Sequence, residues 1–321
     1  MSNSWTKRSR VVILMCVALV SMTCVILSCT TRPNQPIKWR LGESISVGAT
    51  GINLGKEPPQ LETILQKVDM GDKTVIITTL NHAWAEPNSM LDLFLESFRT
   101  GEGTSRFLNH LIIVALDQKA YDRCLSIHSY CFILKTEGID FSGEKLFMTH
   151  DYLKMMWRRI DFLRTVLEMG YNFVFTDVDI LWFRNPFDHF AKDADFQIAC
   201  DVYNGSPTDL NNTANGGFNY VKSNNRTIQF YKYWYSSHEL YPGKHDQDVL
   251  NSIKHEDEIT KIGLTMRFLD ETYFDGFCAS RKDLNKICTM HANCCIGLSN
   301  KLLGLRQMLT EWKIFQSETI I

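Results

Sequence analysis

The sequence predicts an α/β fold: a mixed, mostly parallel sheet flanked by helices. Three observations predict it. Apolar residues at 45% and charged residues at 22% describe an ordinary globular chain. Short β-rich runs alternate with segments of helical period, which a sheet covered on both faces requires. Several of those runs stop at an aspartate, and in such sheets ligands sit beyond the carboxyl ends of the strands. With 321 residues there is room for one large domain or two small ones, and a net charge of −2 gives no reason to expect a nucleic-acid partner.

The N-terminus stands apart from that pattern. Val11–Cys29 is 19 residues without a charge. As a helix it spans about 28 Å, close to a hydrocarbon core of about 30 Å. Lys7, Arg8 and Arg10 precede it, and positive charge stays cytoplasmic. Residues 1–10 are therefore expected as a cytosolic tail and 11–29 as a signal anchor. Residues 30–60, with four prolines and no sustained period, are expected as a stem, and 61–321 as a lumenal domain. A cleaved signal peptide and a lipoprotein signal ending in ILSC are the alternatives. Sequons at Asn204, Asn211 and Asn225 agree with a lumenal domain. Seven cysteines follow the apolar run, so at least one is free or pairs between chains; no CxxC pair suggests zinc, and disulfides suit an oxidising lumen.

Within the domain, Lys73–Leu80 is the first β-rich run, closed by Thr79 and Asn81. Ser89–Phe98 places Leu91, Phe94, Leu95 and Phe98 on one helical face. Leu108–Asp117 is a second strand ending in an acid; Ala120–His128 is helical and Tyr130–Leu134 a third strand. Tyr152–Gly170 is a strong amphipathic helix closed by a glycine, and it feeds YNFVFTDVD, Tyr171–Asp179. Phe196–Asp201 and Gly216–Ser223 are further strands, and Arg226–His238 and His245–Glu256 further helices. The rings of YKYWY are expected in the core and on a helix face rather than as a sugar platform.

Asp177 and Asp179 pose the chemical question. An apolar strand leads into them and ILWF follows. Burying even a neutral polar group without a partner costs roughly 2–7 kcal/mol, so these carboxylates need compensation. In an extended segment i and i+2 point the same way, so both would converge on one point past the strand. A hard cation, Mn²⁺ or Mg²⁺, removes their repulsion and completes its shell with substrate phosphates. Two solvated loop aspartates are the plainer reading. Asp246 of HDQD could be a helix N-cap, and Asn215–Gly216 a turn or a place of close backbone approach. Arg158 and Arg159 lie on the helix behind the aspartates; one can reach a diphosphate while the other faces solvent.

Taken with MMWRR, NGGFNYVKSN, HDQDVLN and CTMHANCCIGLSNK, the run GYNFVFTDVDILWFRNPF resembles the plant nucleotide-diphospho-sugar transferase domain of glycosyltransferase family 77, from about Leu61 to the C-terminus. That resemblance implies a GT-A-type, Rossmann-like sheet in a type II Golgi membrane protein. It implies a retaining glycosyltransferase that moves a pentose or galactose-like sugar from a UDP-sugar to a glycan or glycoprotein, in cell-wall polymer synthesis. It implies Asp177, Asp179 and His291 as metal ligands. Asp177, Thr79, Asn81, Arg158, Asn215 and Gly216 would bind the donor, and Asp246 and Gln247 would be catalytic. Without the family, His291 reads as a structural histidine beside Cys294 and Cys295. The rival classes are a two-metal phosphohydrolase, for which no second acidic cluster appears, and an inactive transferase-like scaffold or glycan-binding partner.

Overall fold

The computed structural model describes residues 60–279 and 282–319, so the expected anchor, and the stem down to residue 59, lie outside the described residues. Among the described residues no helix is long and apolar enough to cross a membrane.

Helix α1 (Leu61–Val68) comes first, then strand β1 (Thr74–Leu80), the short helix α2 (His82–Ala85) and α3 (Met90–Thr100). β2 (Leu111–Ala115), α4 (Gln118–Ile127) and β3 (Cys131–Ile133) lead to the long helix α5 (His150–Glu168), β4 (Asn172–Thr176) and β5 (Ile180–Trp182). β6 (Phe196–Val202) and β7 (Thr213–Val221) precede α6 (Asn225–Ser236), α7 (Asp246–Ile253) and α8 (Asp257–Ile262). β8 (Met266–Phe268), β9 (Phe274–Gly276), β10 (Thr289–His291) and α9 (Leu298–Thr319) complete the order.

Seven strands form the main sheet in the order β3-β2-β1-β4-β7-β6-β8. β1 is parallel to β2 and β4, β2 to β3, and β6 to β8, while β7 runs against both its neighbours. The sheet is therefore mixed and mostly parallel, as the alternation predicts. Side chains alternate across it: Val75, Ile77, Phe173 and Phe175 join one core layer, and Ile76, Leu80 and Val174 the other. Trp157, Ile160 and Leu163 of α5, with Tyr231 and Trp234 of α6, fill the first layer. Phe94 and Phe98 of α3 and Trp312 of α9 fill the second. Tyr231 and Trp234 are almost fully buried in the core, while Tyr233 and Tyr235 are half-buried and pack against it, so the YKYWY rings divide between core and helix face. Full burial of such side chains stabilises by about 1.5–3 kcal/mol each.

Three differences from the sequence reading matter for the site. The chain from β1 through β2 and β3 moves to one side, then β4 returns on the other side of β1, so the crevice ligands favour opens between the ends of β1 and β4. Asp117, flagged as a strand-end acid, is the N-cap of α4: it accepts from the Ala120 N–H and also from the His82 N–H. The apolar ILW after the aspartates belongs to a separate three-stranded sheet, β5-β10-β9.

Candidate active site

That second sheet assembles the centre. Asp177 and Asp179 do not lie on a strand; the chain turns there, with the Ile180 N–H donating to the Asp177 carbonyl at 3.2 Å. The convergence expected from strand alternation is thus produced by a turn. β5 then pairs antiparallel with β10, which sets His291 opposite Ile180, and the Ala292 N–H donates to the Asp179 carbonyl at 3.1 Å. Ligand atoms of Asp177, Asp179 and His291 all lie within 4.8 Å of one another, with His291 Nε2 3.4 Å from Asp179 Oδ1.

Cations of the chain balance these carboxylates. Arg159, buried in α5 and stacked over the Phe175 ring, donates from Nη1 to Asp177 Oδ1 at 2.8 Å and from Nη2 to Asp246 Oδ2 at 2.5 Å. Lys301 Nζ of α9 donates to Asp179 Oδ2 at 2.5 Å. The two aspartates consequently titrate apart. Desolvation raises the Asp177 carboxyl, Arg159 opposes this and the charge of Asp179 adds to it, leaving Asp177 at about 6. Burial works in the same direction on Asp179, but Lys301 and His291 overcome it and hold that carboxyl well below the usual range.

Whether a cation fits is decided by Gly217. A Cβ there would lie 2.6 Å from His291 Cε1 and 2.8 Å from Asp177 Oδ2. The space in front of the triad exists because residue 217 has no side chain. Two carboxylates and an imidazole can hold a divalent cation with positions left for other oxygens.

The triad sits in a cleft of about 410 Å³. Its walls include Thr79, Asn81, Asn215, Gly216, Asp246 and Gln247, so the residues expected at the site converge there with a single exception. That exception is Arg158, which points away and pairs with Asp161 at 2.8 Å; one helical position decides that Arg159 enters instead. Asn81 is buried with its Nδ2 on the Gly143 carbonyl, and its Oδ1 has no partner. Asp246 is not the N-cap of α7, since His245 holds that position and accepts from the Gln247 N–H at 3.3 Å. Asp246 is the buried partner of Arg159. Burial alone would raise its carboxyl, but Arg159 and His245 hold it well below the usual range.

Three residues of the cleft escaped the sequence reading. Lys301 lies on a helix that carried no clear period. Asp201 is the penultimate residue of β6, where the same strand-end rule that flagged Asp117 would have found it. Asn293 follows His291 by two positions. Asp201 accepts from Asn215 Nδ2, Asn293 Nδ2 and Gln247 Nε2, each at 2.8 Å. Disulfides join Cys124 to Cys131 and Cys278 to Cys294, leaving Cys200, Cys288 and Cys295 free among the described residues.

The sequence profile of the nucleotide-diphospho-sugar transferases matches residues 106–305. Uncharacterized protein At4g15970 of Arabidopsis thaliana is 55% identical over 80% of this chain and 68% of its own length. Arabinosyltransferase RRA2 of Arabidopsis thaliana is 30% identical over 49% of this chain and 33% of its own length. UDP-D-xylose:L-fucose alpha-1,3-D-xylosyltransferase 3 of the same plant is 27% identical over 36% of this chain and 35% of its own length.

Proposed function

The chain belongs to the nucleotide-diphospho-sugar transferase family, and on that premise we propose that it is a metal-dependent, retaining glycosyltransferase of GT-A type that uses a UDP-sugar. The observation that carries the reading is the meeting of Asp177, Asp179 and His291 around the space beside Gly217, at the switch point of the sheet. These three residues would hold Mn²⁺ or Mg²⁺. When bound, the cation would supply Lewis-acid neutralisation of the departing diphosphate.

The chain's own groups do the remainder. Thr79 and Asn81, at the end of β1, line the nucleoside end of the cleft, where the unpartnered Asn81 Oδ1 can accept from a base or ribose donor. Lys301 and Arg159 bring fixed positive charge to the diphosphate without a change of fold. Asp246 holds Arg159 in place, and Gln247, anchored by Asp201, presents its amide to the sugar. Orientation of an acceptor hydroxyl against C1 is then a proximity effect. A pentose donor agrees with the names of the arabinosyl- and xylosyltransferase relatives, while a galactose-like sugar, a glycan or glycoprotein acceptor and a role in cell-wall synthesis are expectations of the family resemblance and belong to this proposal. So does a Golgi membrane location, with residues 11–29 as anchor and 61–321 in the lumen, which two disulfides support.

Incubation with Mn²⁺ and a panel of intact UDP-sugars, reading released UDP, tests the activity. At least one donor is expected to release UDP faster with Mn²⁺ than with chelator. No release from any donor, with acceptor extracts present, would favour the inactive scaffold.

A further inference from the structure

Beyond the triad, the cleft contains a carboxylate held by amides in a constrained way. Three primary amides point at Asp201, and each is fixed in orientation by a backbone N–H donating to its oxygen. The Gly217 N–H donates to Asn215 Oδ1 at 2.9 Å, the Gly216 N–H to Gln247 Oε1 at 3.0 Å and the Cys278 N–H to Asn293 Oδ1 at 3.2 Å. A carboxylate offers about four lone-pair sites. The amides take three, two on Oδ1 and one on Oδ2, so one site on Oδ2 remains, beside N–H groups that are not used on Asp201. One acceptor among several donors, all oriented beforehand, is the chemistry that reads vicinal ring hydroxyls.

The position of this array assigns it to the sugar. Along the sheet the order is β1, β4, β7, β6. Thr79 ends β1, Asp177 follows β4, Asn215 lies on β7 and Asp201 on β6. At about 4.8 Å per strand this traverses about 14 Å. With the nucleoside at β1 and the diphosphate at the triad, what reaches β7 and β6 is the sugar ring.

Asn293 differs from the other two amides because it comes from the second sheet. It follows the triad's His291 by two residues and precedes Cys294, whose disulfide to Cys278 closes the loop. It is 7% exposed, and a Cβ on Gly276 would come within 2.3 Å of its Oδ1. Gly276 thus leaves room for this amide and little else. We propose that Asn293 is a positioning residue that sets donor-sugar recognition by fixing the Asp201 carboxylate, and that it contributes nothing to nucleotide binding. The proposal rests on the donor function given above.

The test is the ratio of two dissociation constants, for UDP-xylose or UDP-galactose relative to UDP, by calorimetry with saturating Mn²⁺. Asn293→Asp keeps the shape but sets a carboxylate against Asp201. UDP affinity is expected within about twofold of the parent, while the ratio worsens about 10- to 100-fold for the sugar the parent prefers, the scale of a lost hydrogen bond to a charged group. Asn293→Ala, which leaves a gap instead of a like charge, should move the ratio the same way. An unchanged ratio, or an equal loss of both ligands in both variants, would overturn the assignment, since it confines Asn293 to the sugar. A parent that binds neither ligand would overturn the donor function as well, so the two failures are distinguishable.

Discussion

Asp246 illustrates what a single residue can and cannot reveal from sequence. Beside an expected helix start, aspartate has an obvious use as a cap, and the choice between cap and site residue could not be made from HDQD alone. The structure gives the cap to His245 and turns Asp246 inward to Arg159. Because its folded pKa lies below the ordinary value of about 3.9, its stabilisation is present above that pH and is lost as pH falls through the folded value. Asp246→Asn should therefore lower unfolding free energy at neutral pH by on the order of 3 kcal/mol, the cost of breaking a buried pair, and still by most of that at about pH 3, because the folded carboxyl titrates well below its usual range. Urea titrations at both pH values measure this; equal stability of variant and parent at neutral pH would reject the ion pair. Arg159 was legible only as one of two adjacent arginines, because the facing of a helix position depends on how α5 rotates against β4.

Among the elements, the long ones were readable and the short ones were not. β1, α3, α5 and β4 carry periods long enough to see, and their observed limits fall within a few residues of those expected. β5, β9 and β10 have three residues each, too few for alternation to register, yet they bring His291 to the aspartates. α9 went unassigned because exposed Leu303 and Ile314 and a mid-helix Gly304 blur its apolar stripe, and Lys301 was missed with it. The Cys278–Cys294 link spans 16 residues that include His291. Replacing both cysteines by alanine should cost about 3 kcal/mol of stability by the loop-entropy estimate. It should also weaken Mn²⁺ binding, because the free end of β10 no longer fixes the imidazole. Denaturant unfolding and Mn²⁺ titration would show it; an undiminished Mn²⁺ affinity would mean that the β5–β10 pairing alone holds His291.

For the whole molecule, the alternation of strands and helices specified the sheet, and the strand-end rule pointed to the edge where the candidate site lies. Which strand ends would meet was not readable, since that depends on the chain crossing back from β3 to β4 and on β7 running against its neighbours. The proposed N-terminal anchor makes a separate prediction. In sealed microsomes the domain beyond about residue 60 should resist protease until detergent is added, as the topology rule requires. Digestion without detergent would reject the type II orientation.

The central claim is that the turn after β4 and the end of β10 form one cation-dependent donor site. Its most direct test is calorimetric binding of UDP with and without Mn²⁺ to the parent and to Asp177→Asn/Asp179→Asn. The parent should bind UDP much more tightly with Mn²⁺, and the variant, which keeps side-chain volume but loses both anionic ligands, should lose that dependence while melting as a folded protein. Mn²⁺-dependent UDP binding that survives the double substitution at parental affinity would contradict the account.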